Sequence, residues 1–247
     1  MVTTVGGKHG DAHTLGLYRI AAVTTLMMTG FFLFDTVCWI VMGPYPSTIE
    51  GWFTALQNDR ALGLLLLSFP TLFGMVLYNL TLLGLRNTLS QVNSAYATFA
   101  LLLGCAGLTI LLATNAAYPI VDLADRYAAA TTDAHRTLLL AAGEASMVKA
   151  TAGVNMGGVL VEGALVIFSL LMLRSTVFGV GIATLGLLGH GLDLARLTMN
   201  LVFLPERIGA VLLMIGGLPQ LIWLLLVARK FWQLGSNRGA TARSQGA

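Results

Sequence analysis

AGVNMGGVLVEGALVIFSLLML, residues 152–173, holds a single ionisable side chain, Glu162, in an otherwise apolar run. About 20 apolar residues at about 1.5 Å per residue cross the hydrocarbon core of a bilayer. The segment therefore predicts a transmembrane helix. Glu162 lies eleven residues before Leu173, which places it near the midplane.

Working outward, five further stretches read the same way. With the first, the expected spans are Leu17–Met42, Ala61–Leu85, Ser94–Ala117, Ala152–Leu173, Phe178–Asn200 and Gly209–Lys230. Composition agrees with this. The chain is 56% hydrophobic and 10% charged, whereas a soluble domain carries about 25% charged residues. The expected fold is an all-α polytopic bundle of six transmembrane helices, with short interfacial amphipathic helices on the outer side. Residues 1–16 read as a cytoplasmic N-tail, 17–234 as the six-helix domain, and 235–247 as a disordered basic C-tail. The first run is too long for a signal-peptide core and is read as a retained span.

Orientation follows from the basic residues. Lys8, Arg19, Arg86, Arg174, Arg229, Lys230, Arg238 and Arg243 fall on one side, opposed by Asp11 alone. The other connections hold Glu50, Asp59, Asp122, Asp125, Asp133, Glu144 and Glu206 among their bases. Both termini are expected in the cytoplasm, and the membrane is expected to be a bacterial plasma membrane. The net charge of +3 is no nucleic-acid signal.

The connections "RNTLSQVN" and "RST" are short enough to force antiparallel helix pairs. On the outer side, Ser47 and Glu50 read as a capping box. Trp52, Phe53 and Leu56 then fall on one face of a short helix, expected to lie in the interface with Trp52 among the headgroups. "TTDAHRTLLLAAGEASMVKAT" reads as a helix capped by Thr132 or Asp133, continuing into the fourth span. Cys38 and Cys105 sit in apolar runs and are expected to be buried free thiols.

Ionisable groups at membrane depth are expensive and need partners, water or a proton. Beside Glu162, the fifth span ends in GHGLDLARLTMN, residues 189–200. At 100° per residue, His190, Asp193, Arg196 and Asn200 share an arc of about 120°. That stripe is expected to face the bundle interior. If the first and fourth spans also line that interior, Asp35 and Glu162 meet it in an outward-facing polar pocket. The inner half reads as nearly dry, apart from Asn79 and Gln220.

Three classes of function fit this pattern. A binding, translocation or sensing protein for a small solute or ion would use Glu162 and His190 as deep proton or cation sites, with Asp193 and Arg196 at the mouth. A metal-assisted intramembrane enzyme would use His190, Asp193, Asp35 and Glu162 as zinc or iron ligands on a lipid-like substrate. Against the metal ion stand a single intramembrane histidine and the absence of any H-E-x-x-H pattern. An accessory subunit, in a homo-oligomer or with a membrane-complex partner, would pack the stripe against its neighbour. Asp193 and Arg196 also read as a plain structural pair, three residues apart. "GVGIATLG" follows no strand and is no dinucleotide loop, and no lysine lies deep enough for a Schiff base.

Two stretches carry a resemblance: LMLRSTVFGVGIATLGLLGHGLDLARL (171–197) and GGLPQLIWLLLVARKFWQLG (216–235). Their Arg-Ser hinge and Trp-rich, basic final span resemble an uncharacterised family of bacterial multi-pass membrane proteins, a domain of unknown function. The resemblance implies a bacterial plasma-membrane bundle and assigns no active residue.

Overall fold

The structure is a computed structural model that describes residues 7–42, 45–200 and 206–244. Eight helices carry these residues: α1 (Gly7–Met42), α2 (Ile49–Asn58), α3 (Arg60–Leu66), α4 (Phe69–Thr114), α5 (Ala117–Ala129), α6 (Asp133–Met172), α7 (Val180–Asn200) and α8 (Glu206–Ser244). Leu15–Cys38 in α1, the stretch from Phe69 to Ala129, Asp133–Met172 and Val180–Asn200 are long and apolar enough to cross a membrane. Only 28–39% of their apolar windows is buried. The remaining apolar surface, including Leu26, Phe73, Phe99, Leu102, Leu170 and Leu188, faces outward. A continuous outward apolar face of this kind suits a bilayer rather than water.

The long helices close into a ring in which α1 packs on α4, α4 on α6, α6 on α7, α7 on α8, and α8 back on α1. One core runs through all five, from Tyr18 and Ala22 through Leu82, Ala164 and Ala183 to Trp223 and Phe231. Glycine sets the closest crossing. A Cβ on Gly107 would stand 2.5 Å from the Gly157 carbonyl oxygen, so α4 and α6 touch backbone to backbone. Small residues allow such approach where no hydrophobic effect drives helices together.

α4 contains a hairpin. Asn93 leaves helical geometry (φ −159°, ψ 107°), and its side-chain oxygen accepts from the Tyr96 N–H at 3.1 Å. Arg86 Nε donates to Thr98 Oγ1 across the turn, and Leu82 packs against Gly104. The predicted "RNTLSQVN" loop is therefore helical apart from this one residue. The start of the second expected span is also different. Ala61–Leu85 was expected as one helix, but α3 ends at Leu66 and α4 begins at Phe69. Ser68 adopts φ 52° between them. Pro70 explains the restart: it lacks the N–H that would continue α3, yet is tolerated in a first helical turn.

A separate helical cap covers one end. Ile49, Trp52, Phe53 and Leu56 of α2 pack on Ala117, Ile120 and Ala124 of α5 to make a second core. Gly143 of α6 lets Ile49 and Phe53 approach its backbone. Trp52 is 6% exposed and stacks on Tyr45. The apolar face of α2 thus packs on protein. The N-cap is Thr48, whose hydroxyl accepts from the Gly51 N–H at 3.1 Å, rather than Ser47. Thr132 caps α6, as expected, by accepting from the His135 N–H. α6 then runs unbroken into the apolar segment.

The ring's other end gathers Tyr18, Arg19, Asn87 and Gly235. Asn87 donates to the Tyr18 hydroxyl at 3.0 Å, and Arg19 Nε donates to the Gly235 carbonyl. α8 continues as helix through Ser244, across the stretch read as a disordered tail from 235. Likewise α1 begins at Gly7, inside the expected N-tail. No proline follows Gly235 to end the helix. Both cysteines are free but half-exposed, not buried.

Candidate functional site

Glu162 and His190 meet where α6 and α7 cross. Glu162 Oε2 and His190 Nδ1 are 2.8 Å apart, with side-chain exposures of 13% and 4%. α8 adds a third partner, Gln220. Its Nε2 donates to the Gly189 carbonyl at 3.3 Å and makes a longer 3.5 Å contact with Glu162 Oε2. This approach needs glycine, because a Cβ on Gly189 would lie 2.8 Å from the Gln220 backbone nitrogen. On the facing side of the imidazole, Trp223 stands edge-to-face with ring centroids 4.7 Å apart. His190 is thereby held by one neighbour on each of two helices.

Further along α7, Arg196 Nε donates to Asp193 Oδ1 at 2.5 Å. Both side chains are half-buried, 18% and 14% exposed. They are also charged neighbours of Glu162, with His190. Tyr78, buried on α4, is a further electrostatic neighbour. The expected α7 stripe thus fades outward, from buried His190 through half-buried Asp193 and Arg196 to exposed Asn200 at the helix end.

Asp35 lies elsewhere. Its Oδ2 accepts from Thr71 Oγ1 at 2.5 Å, on the α1–α4 seam beside the break between α3 and α4. The seam carries other buried hydroxyls: Thr25 and Thr81 are 2.9 Å apart, and Thr29 donates to the Thr25 carbonyl. α1 packs on α4 and α8, with α6 and α7 on the ring's other side. Asp35 is therefore a partner of Thr71 and makes no hydrogen bond to Glu162 or the α7 stripe.

Among the described residues, no three His, Cys, Asp or Glu side chains gather as a metal-ligand set. The meeting of Glu162 with His190 was legible only as a conditional. Gln220 was assigned to the inner half and missed as a member. Its signal was its place immediately after Pro219 and three residues before Trp223, which puts both polar tips on one face of α8.

The site can store a proton. With Asp193 and Arg196 paired, the cluster is neutral when Glu162 and His190 share one proton, whichever holds it. A second proton makes the buried cluster cationic, and loss of the first makes it anionic. Both are costly at this depth. No family model, curated protein or solved structure matches the chain. The resemblance of its last third therefore rests on the motifs alone.

Proposed function

We propose that this is a multi-pass protein of the bacterial plasma membrane that binds a proton, or a small cation in its place, at Glu162 and His190. Six crossings are the count that fits: α1, the two arms of α4, the apolar half of α6, α7 and α8. The basic ends of these segments lie opposite the cap, so the positive-inside rule puts both termini in the cytoplasm and the cap outside. Asp193 and Arg196 form the outward mouth of the site, and Asn200 marks its rim. The protein uses the site for translocation or sensing of a small solute or ion.

The observation that carries this reading is the buried 2.8 Å Glu162–His190 pair, with Gln220 completing it from a third helix. A plain structural pair between helices would serve as well with a fixed proton. Infrared pH-difference spectra of the lipid-reconstituted protein separate the two. A protonated-carboxyl band that changes between pH 5 and 9 and is absent from Glu162→Gln supports the proposal. Spectra of wild type and Glu162→Gln that are identical throughout this range overturn it.

A further inference from the structure

Among the described residues four side-chain polar atoms are buried without a partner: Asp35 Oδ1 on the α1–α4 seam, and Ser169 Oγ on α6, His190 Nε2 on α7 and Trp223 Nε1 on α8. The last three residues are 0%, 3% and 0% exposed. Two of the last three meet at one residue of α7, and the third stands on the next turn. Ser169 Oγ and Trp223 Nε1 both press against the bare face of Gly186, 2.3 and 2.5 Å from where its Cβ would stand. His190 is one turn further on and packs against the Trp223 ring. Buried polar groups are almost always paired, and an orphan in a packed interior commonly marks a bound water.

The donor and acceptor roles are complementary. Indole N–H only donates. In the neutral pair with the proton on Glu162, His190 Nδ1 accepts from the carboxyl O–H and Nε2–H donates. The Ser169 hydroxyl does either. One water accepts from Trp223 Nε1–H and from His190 Nε2–H and donates to the Ser169 hydroxyl, which meets the two to four partners a buried water needs. The position is also directional. Ser169 is seven residues beyond Glu162 towards the basic end of α6, about 10 Å along the axis, and about one turn from the helix end.

We propose that Ser169, Trp223 and His190 Nε2 hold a water that extends the Glu162 site into a proton path towards the basic end of the bundle. The inference rests on the reading of Glu162 and His190 as a proton site. For inward transfer, Glu162 O–H gives its proton to His190 Nδ1. The imidazolium then releases the proton on Nε2 to the water, and the Ser169 hydroxyl takes up that proton and passes on its own. The carboxylate is reprotonated from the Asp193 side, and the imidazole returns by exchanging its ring proton between nitrogens. His190 itself meets Glu162 from α6 and uncharged Trp223 from α8, and the titratable or charged groups nearest the pair are Tyr78 on α4 and Asp193 and Arg196 on α7, through Glu162. The sequence reading of a dry inner half overlooked this branch because it counted neither serine nor indole.

The test uses the full chain in phosphatidylcholine–phosphatidylglycerol vesicles with a trapped pH dye, driven by a valinomycin-clamped potassium potential. Wild type is expected to conduct protons at least tenfold faster than empty vesicles, and Glu162→Gln to abolish this. Ser169→Ala and Trp223→Phe are each expected to slow conduction at least fivefold while keeping the Glu162 infrared band. That band also verifies that each variant is folded, and either variant alone decides. Conduction like wild type in both, with Glu162→Gln silent, overturns the water relay and leaves the proton site standing. Wild type no faster than empty vesicles overturns the relay, and the infrared titration then judges the site separately. Conduction like wild type in Glu162→Gln overturns both.

Discussion

Glu162 of α6 and His190 of α7 share one short hydrogen bond, Oε2 to Nδ1 at 2.8 Å, deep in the ring of helices. Twenty-eight residues and a tight turn separate them in the chain. That turn makes α6 and α7 antiparallel and brings the middle of α7 beside the last third of α6. Gly179 (φ 68°) closes the turn in a backbone conformation that costs glycine nothing.

Substitutions at this pair are expected to be asymmetric. Glu162→Gln keeps the shape and a hydrogen-bonding group facing Nδ1, so its thermal midpoint in detergent should stay within a few degrees of wild type. His190→Ala leaves Glu162 facing a cavity and removes the Trp223 contact, at a cost of about 3 kcal/mol or more. Equal midpoints for the two variants would refute this.

The Asp193–Arg196 pair should show a similar imbalance. Arg196→Ala strips the nearby positive charge from two acids, Asp193 and Glu162. Asp193→Ala leaves Arg196 with Glu162 as a nearby acid. Arg196→Ala should therefore have the lower midpoint, and the reverse order would mean that the two residues answer only to each other.

Close helix approach gives a sharper contrast. A Cβ at Gly107 meets the Gly157 carbonyl at 2.5 Å and the Val161 nitrogen at 2.9 Å, both backbone atoms. Gly191 has nothing within 4 Å of that position. Gly107→Ala should destabilise by about 1–3 kcal/mol through overpacking, while Gly191→Ala should be neutral or slightly stabilising through helix propensity. Denaturant titration of the two variants checks this, and equal effects would mean that the α4–α6 crossing is looser than described.

The cap should loosen independently of the ring, because its core is separate. Phe53 is fully buried there, so Phe53→Ala should cost about 3–5 kcal/mol. Arg60 pairs with Asp125 at 3.0 Å, but both are 58% exposed. Arg60→Ala should change stability by less than about 1 kcal/mol. Hydrogen exchange should report faster opening of α2 and α5 in Phe53→Ala, with α7 unchanged. Opening throughout the ring would mean that cap and ring form one cooperative unit.

Membrane character, the positions of most apolar helices and the polar stripe on α7 were legible in the sequence. Hydropathy and helical period are local properties, and they survive in whatever arrangement the helices take. The caps show where local reading ends. Of Thr132 and Asp133, both open from the sequence, Thr132 caps α6, and at α2 the cap is Thr48 instead of Ser47, because two adjacent hydroxyl residues offer the same signal until the backbone turns. The break at Ser68 was hidden because Leu and Phe flank it without a change in hydropathy.

Partnership was decided by the tertiary structure alone. The sequence grouped Asp35 with Glu162 by depth and charge, but Asp35 belongs to Thr71 because α1 packs on α4 and α8. It set Gln220 apart from Glu162, but the glycines at 189 and 216 let α8 approach until the two meet. Trp52 reads from the sequence as an interfacial aromatic, and it is buried because a partner surface covers it. Sequence determines how costly a side chain is in oil. Which neighbour offsets that cost depends on how the helices are ordered around the ring, and contacts between residues distant in the chain set that order.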